Sequence, residues 1–159
     1  MPVAKPPATP AIKVKVQKKQ ARFRRVRDAN SPHAGVGEFF LLLDVAAPKE
    51  DVYVPISIAS GKKPVGFIYQ IEGTKEGSIS TTTISCSGAG VTQITLGTLL
   101  YAKIPAGKTA TFRILIEMRG KTGSEYGITI VQINYKRDPA AARYEKFLEP
   151  ISGKTVKFG

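Results

Sequence analysis

The stretch TATFRILIEM, residues 109–118, decides the fold class because apolar side chains recur at every second position. The recurring apolar residues are Ala110, Phe112, Ile114, Ile116 and Met118, and three of the four positions between them are polar. A period of two places alternate side chains on opposite faces of a β-strand, whereas a helix needs a period near 3.6. The stretch therefore predicts a strand with one face packed on a core.

Short segments of similar character lie on both sides of this stretch, separated by turns rich in Gly, Pro and Ser. With it they number eight, at residues 38–46, 51–58, 65–72, 78–87, 91–96, 99–104, 109–118 and 126–135. Short strands at this spacing predict an all-β fold, a single antiparallel β-sandwich over residues 37–137. Eight strands indicate a jelly roll. If 91–96 and 99–104 are one strand bulged at Gly97, seven remain, as in immunoglobulin-like domains.

Seven aromatic side chains in these segments are predicted core residues: Phe39, Phe40, Phe67, Tyr69, Phe112, Tyr126 and Tyr135. In the last segment, simple alternation predicts Ile128 and Ile130 on one face, with Ile133 and Tyr135 on the other.

Positive charge is concentrated in the first 27 residues. They contain nine of the 24 Lys and Arg residues and none of the 12 Asp and Glu residues, although the whole chain has a net charge of +12. The other 132 residues therefore have 15 cations against 12 acids. This predicts a nearly neutral body with a cationic segment that binds an acidic partner. The candidate binding residues are Lys13, Lys15, Lys18, Lys19, Arg22, Arg24, Arg25 and Arg27.

Residues 1–36 are predicted to form a basic, Pro-rich, extended N-terminal arm. Residues 12–16 alternate with period two, which indicates a strand, while residues 20–27 fit either a helix or a strand. Because the predicted core strands all follow Gly37, we expect the body to fold without the arm.

Residues 138–159 are predicted to form a C-terminal helix and tail. Asp138 and Pro139 are a favourable N-cap and N1 pair, and Pro150 would stop the helix after residues 140–149. Tyr144, Phe147 and Leu148 would share one face of this helix, which we predict to be a subunit contact.

The sequence offers little chemistry for catalysis, and we predict that the protein is not an enzyme, binds no metal and needs no cofactor. Gly-Lys-Thr occurs at 107–109, 120–122 and 153–155, but each lacks the upstream glycine of a phosphate-binding loop. His33 and Cys86 are the only histidine and cysteine, too few for a zinc site. No apolar run is long enough to span a membrane, and no secretion signal is recognised.

Several stretches together resemble immunoglobulin-like modules of bacterial surface proteins. They are EFFLLLDVA (38–46), DVYVP (51–55), GFIYQIEG (66–73) and IPAGKTATF (104–112), so the resemblance covers about residues 37–136. It implies a spacer, adhesive or decorating role without catalytic residues. Similar sandwiches occur in virus and phage structural proteins, which often have a basic N-terminal arm.

These observations predict a structural protein of a large symmetric assembly, either a virion coat or a capsid-decoration protein located in the virion. Its partners would be copies of itself and an acidic molecule, such as a neighbouring subunit or packaged nucleic acid, but no small-molecule substrate. The alternatives are an immunoglobulin-like module at the cell surface or outside the cell, and a cellular nucleic-acid-binding protein.

Overall fold

The computed structural model describes residues 12–25, 34–61, 65–73, 78–121 and 123–158. These residues contain strands, turns and bends but no helix. The strands are β1 (Lys13–Arg25), β2 (Ala34–Ala46), β3 (Val52–Pro55), β4 (Ile58–Ser60), β5 (Phe67–Gly73), β6 (Ser78–Ser87), β7 (Thr92–Leu96), β8 (Leu99–Ile104), β9 (Thr109–Lys121), β10 (Glu125–Tyr135), β11 (Glu145–Phe147), β12 (Ile151–Ser152) and β13 (Val156–Lys157). The all-β prediction is confirmed, and each of the eight predicted segments contains a strand.

These strands form three sheets. The first sheet has the order β1-β2-β9-β6, and all of its neighbours are antiparallel. The second has the order β11-β10-β5-β4, in which only β4 and β5 are parallel. The third is the antiparallel sheet β3-β8-β7, and a bridge between Tyr53 and Lys136 joins its edge to the end of β10. This arrangement is compatible with a β-sandwich.

The core lies between the sheets and receives side chains from all three. The rings of Phe67 on β5 and Phe112 on β9 pack with their centroids 4.9 Å apart, which joins the second sheet to the first. Val54 on β3 and Ile104 on β8 bring the third sheet into the same buried cluster. The inward row of β9 is fully buried, as its alternation predicts.

The predicted C-terminal helix is wrong. The Asp138 carboxylate accepts a hydrogen bond from the Ala140 N–H (2.9 Å), and the Asp138 carbonyl accepts one from Ala141 (3.0 Å). The residues that were predicted to start a helix, Asp138 and Pro139, thus form a local turn. After this turn the chain runs antiparallel to β10. β11, β12 and β13 pair in succession along β10, because backbone pairing with this central strand satisfies the groups that a helix would have satisfied internally.

The two segments flanking Gly97 are separate strands and not one bulged strand. β7 and β8 form a hairpin in which Leu96 pairs with Leu99, and Gly97 has φ 64° in the two-residue turn. A positive φ at the first turn residue is the type II′ requirement that glycine meets.

The predicted faces of β10 are wrong, because the strand contains a bulge. The register shifts between Ile130 and Gln132, so Ile133 pairs with Phe67 while Ile130 pairs with Tyr69. Ile133 and Tyr135 therefore point into the same core as Ile128 and Ile130. An extra residue reverses the alternation beyond it, which a period-two pattern cannot foresee.

Phe158 closes one end of the core. Its buried ring lies 4.9 Å from the Phe23 ring and 4.7 Å from the Tyr126 ring, measured between centroids. A Cβ on Gly37 or on Gly120 would lie 2.6–2.8 Å from atoms of the Phe158 ring, too close for any side chain. These two glycines leave the space that the ring fills.

Candidate functional site

The described part of the basic segment is strand β1, which forms an edge of the first sheet. It pairs with β2 from Lys13 through Arg25, with a bulge between Val16 and Lys18. The strand predicted at 12–16 is therefore longer than expected, and residues 20–25 are strand and not helix. Ile12, immediately before β1, is only 2% exposed and belongs to the core, while Ala21 and Phe23 pack against it. The segment is thus both a cationic surface and a packed element.

The register with β2 sorts the cations of β1 onto two faces. Residues directly opposite each other in an antiparallel pair point to the same side of the sheet. Lys19 pairs with the buried Leu41, and Arg25 pairs with Gly35, so both belong to the core-facing side although their side chains are exposed. The Lys19 Nζ donates to the Ser152 carbonyl there (3.4 Å).

The remaining described cations of β1 point outward, away from the core. They are Lys13, Lys15, Lys18, Arg22 and Arg24, and all five side chains are exposed. Arg27, the last predicted binding residue, lies outside the described residues. The structure therefore brings five of the eight predicted residues together on one surface, which we call the outer face of the first sheet.

One carboxylate on β2 is shared by two of these arginines. Glu38 accepts from the Arg22 Nη2 (2.8 Å) and from the Arg24 Nε (3.2 Å). The Arg22 and Arg24 side chains remain 74% and 54% exposed, so these ion pairs are well solvated and contribute little to stability. A single acid cannot neutralise two guanidinium groups, and the pair retains positive charge.

Two arginines of β9 join the same outer face. Arg113 pairs across the sheet with Leu42, and Arg119 pairs with Val36, both outward positions of β2. The Arg113 guanidinium lies 5.9 Å from the centroid of the Phe40 ring. Phe40 is the exception among the predicted core aromatics, since it is half-buried on this face while the other six are buried. The alternation of residues 109–118 could have identified Arg113 as an outward-facing residue, because it occupies a polar position between core residues.

The predicted subunit-contact residues do not share a face. Phe147 is buried in β11, Leu148 is 60% exposed, and the Tyr144 hydroxyl lies 2.5 Å from the Tyr101 hydroxyl. The Lys136 Nζ sits 4.9 Å from the Tyr144 ring centroid. Partial burial, together with the hydrogen bond to Tyr101, raises the pKa of Tyr144 above its usual range, so this hydroxyl stays protonated. Without the helix, only Leu148 of the three is freely available to a partner.

The described residues assemble no group of three or more His, Cys, Asp and Glu side chains that could hold a metal. His33 lies outside the described ranges. Cys86 is half-buried on β6 against the core, and its burial raises the pKa of the thiol to about 11. A thiol with that pKa is almost entirely protonated at neutral pH and is a poor nucleophile.

Comparison with known proteins adds no assignment: no protein family, curated protein or solved structure matches the chain. Within the part of the chain that the structure describes, there is no helix of the length and apolarity that a membrane span requires.

Proposed function

We propose that this protein is a non-enzymatic structural subunit of a large symmetric assembly, such as a virion coat or capsid-decoration protein. The supporting observation is the exposed row of five cations on the edge strand β1, in a chain whose residues 28–159 are nearly neutral. In this role the body makes subunit contacts, and β1 binds an acidic neighbour or packaged nucleic acid.

The order of the main strands supports a single sandwich of immunoglobulin-like topology for the body. We take β1, β2, β5, β6, β9 and β10 as strands one to six and the interrupted β11–β13 segment as the seventh. The first sheet then has the order 1-2-5-4, and the second has 7-6-3. Constant-type immunoglobulin domains have this arrangement, with β3, β4, β7 and β8 as additions here. The order favours that topology over a jelly roll.

The opposite edge of the first sheet supports contacts between copies. Strand β6 has the sequence SISTTTISCS, ten residues without a charge, and its one partner among the described strands is β9. Exposed edges of soluble proteins are commonly protected by charge, as β1 is by its lysines. An uncharged edge rich in Thr and Ile can pair with a second copy without electrostatic repulsion.

Light scattering of the purified protein, with and without nucleic acid, tests this proposal. We expect a multimer or particle, and we expect Thr83→Lys on β6 to reduce its size by placing a charge at the uncharged edge. Thr155→Lys adds the same charge at an exposed position between β12 and β13 and should leave the size unchanged.

The second candidate function is an immunoglobulin-like module at the cell surface, favoured by the strand order alone. A monomer that ignores nucleic acid would support it, whereas a monomer that binds nucleic acid would support a cellular nucleic-acid-binding protein.

A further inference from the structure

We propose that the outer face of the first sheet, and not β1 alone, is a binding surface for single-stranded nucleic acid. Arg113 and Arg119 on β9 would contact phosphates together with the outward cations of β1. This inference rests on the proposed role of the basic strand and extends it to a second strand, which the charge distribution of the sequence does not identify.

The cations form two lines that flank β2. Alternate residues of a strand are about 6.6–6.8 Å apart, so Arg113 and Arg119, six residues apart on β9, are separated by about 20 Å. β1 and β9 are separated by two strand spacings, about 9.5 Å. Lys18, Leu42 and Arg113 occupy one row across the three strands, and Arg24, Val36 and Arg119 occupy another. Positive charge thus borders the middle of the face on both sides.

The middle of the strip between the two lines is apolar, and it is flanked along β2 by Glu38 and Asp44. Phe40 and Leu42 on β2 are half-buried there, Leu115 is half-buried beside them on β9, and the Arg113 guanidinium lies near the Phe40 ring. Nucleobases stack on aromatic rings and on guanidinium planes, while backbone phosphates attract Lys and Arg. A strip of this kind between two cationic lines suits a polymer with flat apolar bases on a charged backbone.

The charge balance of the face favours a polyanion. Three acids accompany the cations, and each has a hydrogen-bonded partner: Glu38 with Arg22 and Arg24, Asp44 with the Thr111 hydroxyl (2.7 Å), and Glu117 with the Thr81 hydroxyl (3.3 Å). Against them stand seven exposed cations, Lys13, Lys15, Lys18, Arg22, Arg24, Arg113 and Arg119. The Phe40 ring beside the Arg113 guanidinium offers a stacking surface that suits flat bases, so we commit to nucleic acid, and an acidic polypeptide is tested as the competing partner.

The test compares two double variants of the full chain that remove equal charge from opposite faces. Arg113→Gln/Arg119→Gln alters the outer face, whereas Lys19→Gln/Arg25→Gln alters the core-facing side of β1. Binding of a fluorescein-labelled 20-nucleotide oligo-dT is followed by anisotropy between 50 and 300 mM salt, with ~20 nucleotides chosen to exceed one site. Thermal melts of both variants establish that they are folded.

We expect the outer-face variant to bind at least ~10-fold more weakly at low salt. Its slope of log K against log salt should fall by about 1.4, since each phosphate contact to a single strand contributes about 0.7. The control variant should change the slope by less than half as much.

Equal losses in the two variants would mean that binding follows net charge, and would overturn this inference while leaving the proposed function intact. Tighter binding of a duplex of the same length, or of polyglutamate, would overturn it as well. If the wild-type protein assembles but does not bind the oligonucleotide, the surface is not a nucleic-acid site, and the structural role survives without it. Failure of the wild-type protein to assemble is the separate outcome that contradicts the proposed function.

Discussion

At the scale of single residues, Phe158 connects the basic strand to the core. Its ring packs between Phe23 on β1 and Tyr126 on β10, over a surface where Gly37 and Gly120 provide no Cβ. The apolar interior at this end therefore depends on one side chain that follows the last strand.

Replacing the Phe158 ring measures its contribution to the stability of the fold. Phe158→Ala should lower the free energy of unfolding by about 3–5 kcal/mol, because truncating a buried aromatic residue removes its transfer free energy and leaves a cavity. Urea denaturation gives the value, and Leu148→Ala, at a residue 60% exposed, is the matched control, with a change below about 0.5 kcal/mol. Similar small losses in both variants would show that Phe158 is not packed as described.

Cys86 provides a prediction about pH. Because burial raises the pKa of its thiol to about 11, iodoacetamide should modify the folded protein slowly at pH 8 and faster as the pH approaches 11. In urea the rate should rise near the ordinary thiol pKa, about 8.5. A raised folded-state pKa means that the thiol's contribution to stability is complete below the unfolded pKa and is lost as the pH rises towards 11. Identical rate profiles for folded and unfolded protein would contradict the placement of Cys86.

At the scale of elements, the sequence predicted most of the strands but not their irregularities. Strict alternation identified β9, and the turn residues around it bounded its neighbours, since backbone period and core burial impose the same pattern. The faces beyond Val131 could not be predicted because one bulged residue reverses them. The Asp138–Pro139 signal is local, and pairing with β10, a long-range interaction, outweighed it.

The candidate site was likewise predictable from the sequence only in part. The cations of β1 were identifiable from their density in the sequence, but their sorting onto two faces depends on the register with β2 and on the bulge after Val16. Arg113 and Arg119 join the site only because β9 lies next to β2, where their partners Leu42 and Val36 are 71 and 83 residues away in the sequence.

The burial of Ile12 and the partial burial of Phe23 change the expectation that the body folds without its basic segment. A truncated chain that begins at Ser31 should lose at least about 1.5–3 kcal/mol of stability, because fully burying one large apolar side chain such as Ile12 contributes about that much. Chemical denaturation measures this loss, and a truncation beginning at Ala11, which retains β1, is the control. If the chain that begins at Ser31 is as stable as the full protein, β1 does not contribute to the stability of the fold.

At the scale of the whole molecule, the two edges of the first sheet are unlike. Each edge strand has one bulge, but β1 has exposed cations, whereas β6 is ten residues without charge. This asymmetry suits a subunit that binds an acidic partner along one edge and a copy of itself along the other. The central claim is that the charge of β1 serves a partner and not the fold.

The most direct test replaces the five outward cations Lys13, Lys15, Lys18, Arg22 and Arg24 with Gln. The melting temperature should change by no more than about 2–4 °C, because exposed charges and solvated ion pairs contribute little to stability. Assembly or nucleic-acid retention, measured by light scattering across a salt series, should be lost or strongly weakened, and its dependence on salt should flatten. Normal assembly with an unaltered salt dependence would contradict the claim and would favour the surface-module alternative.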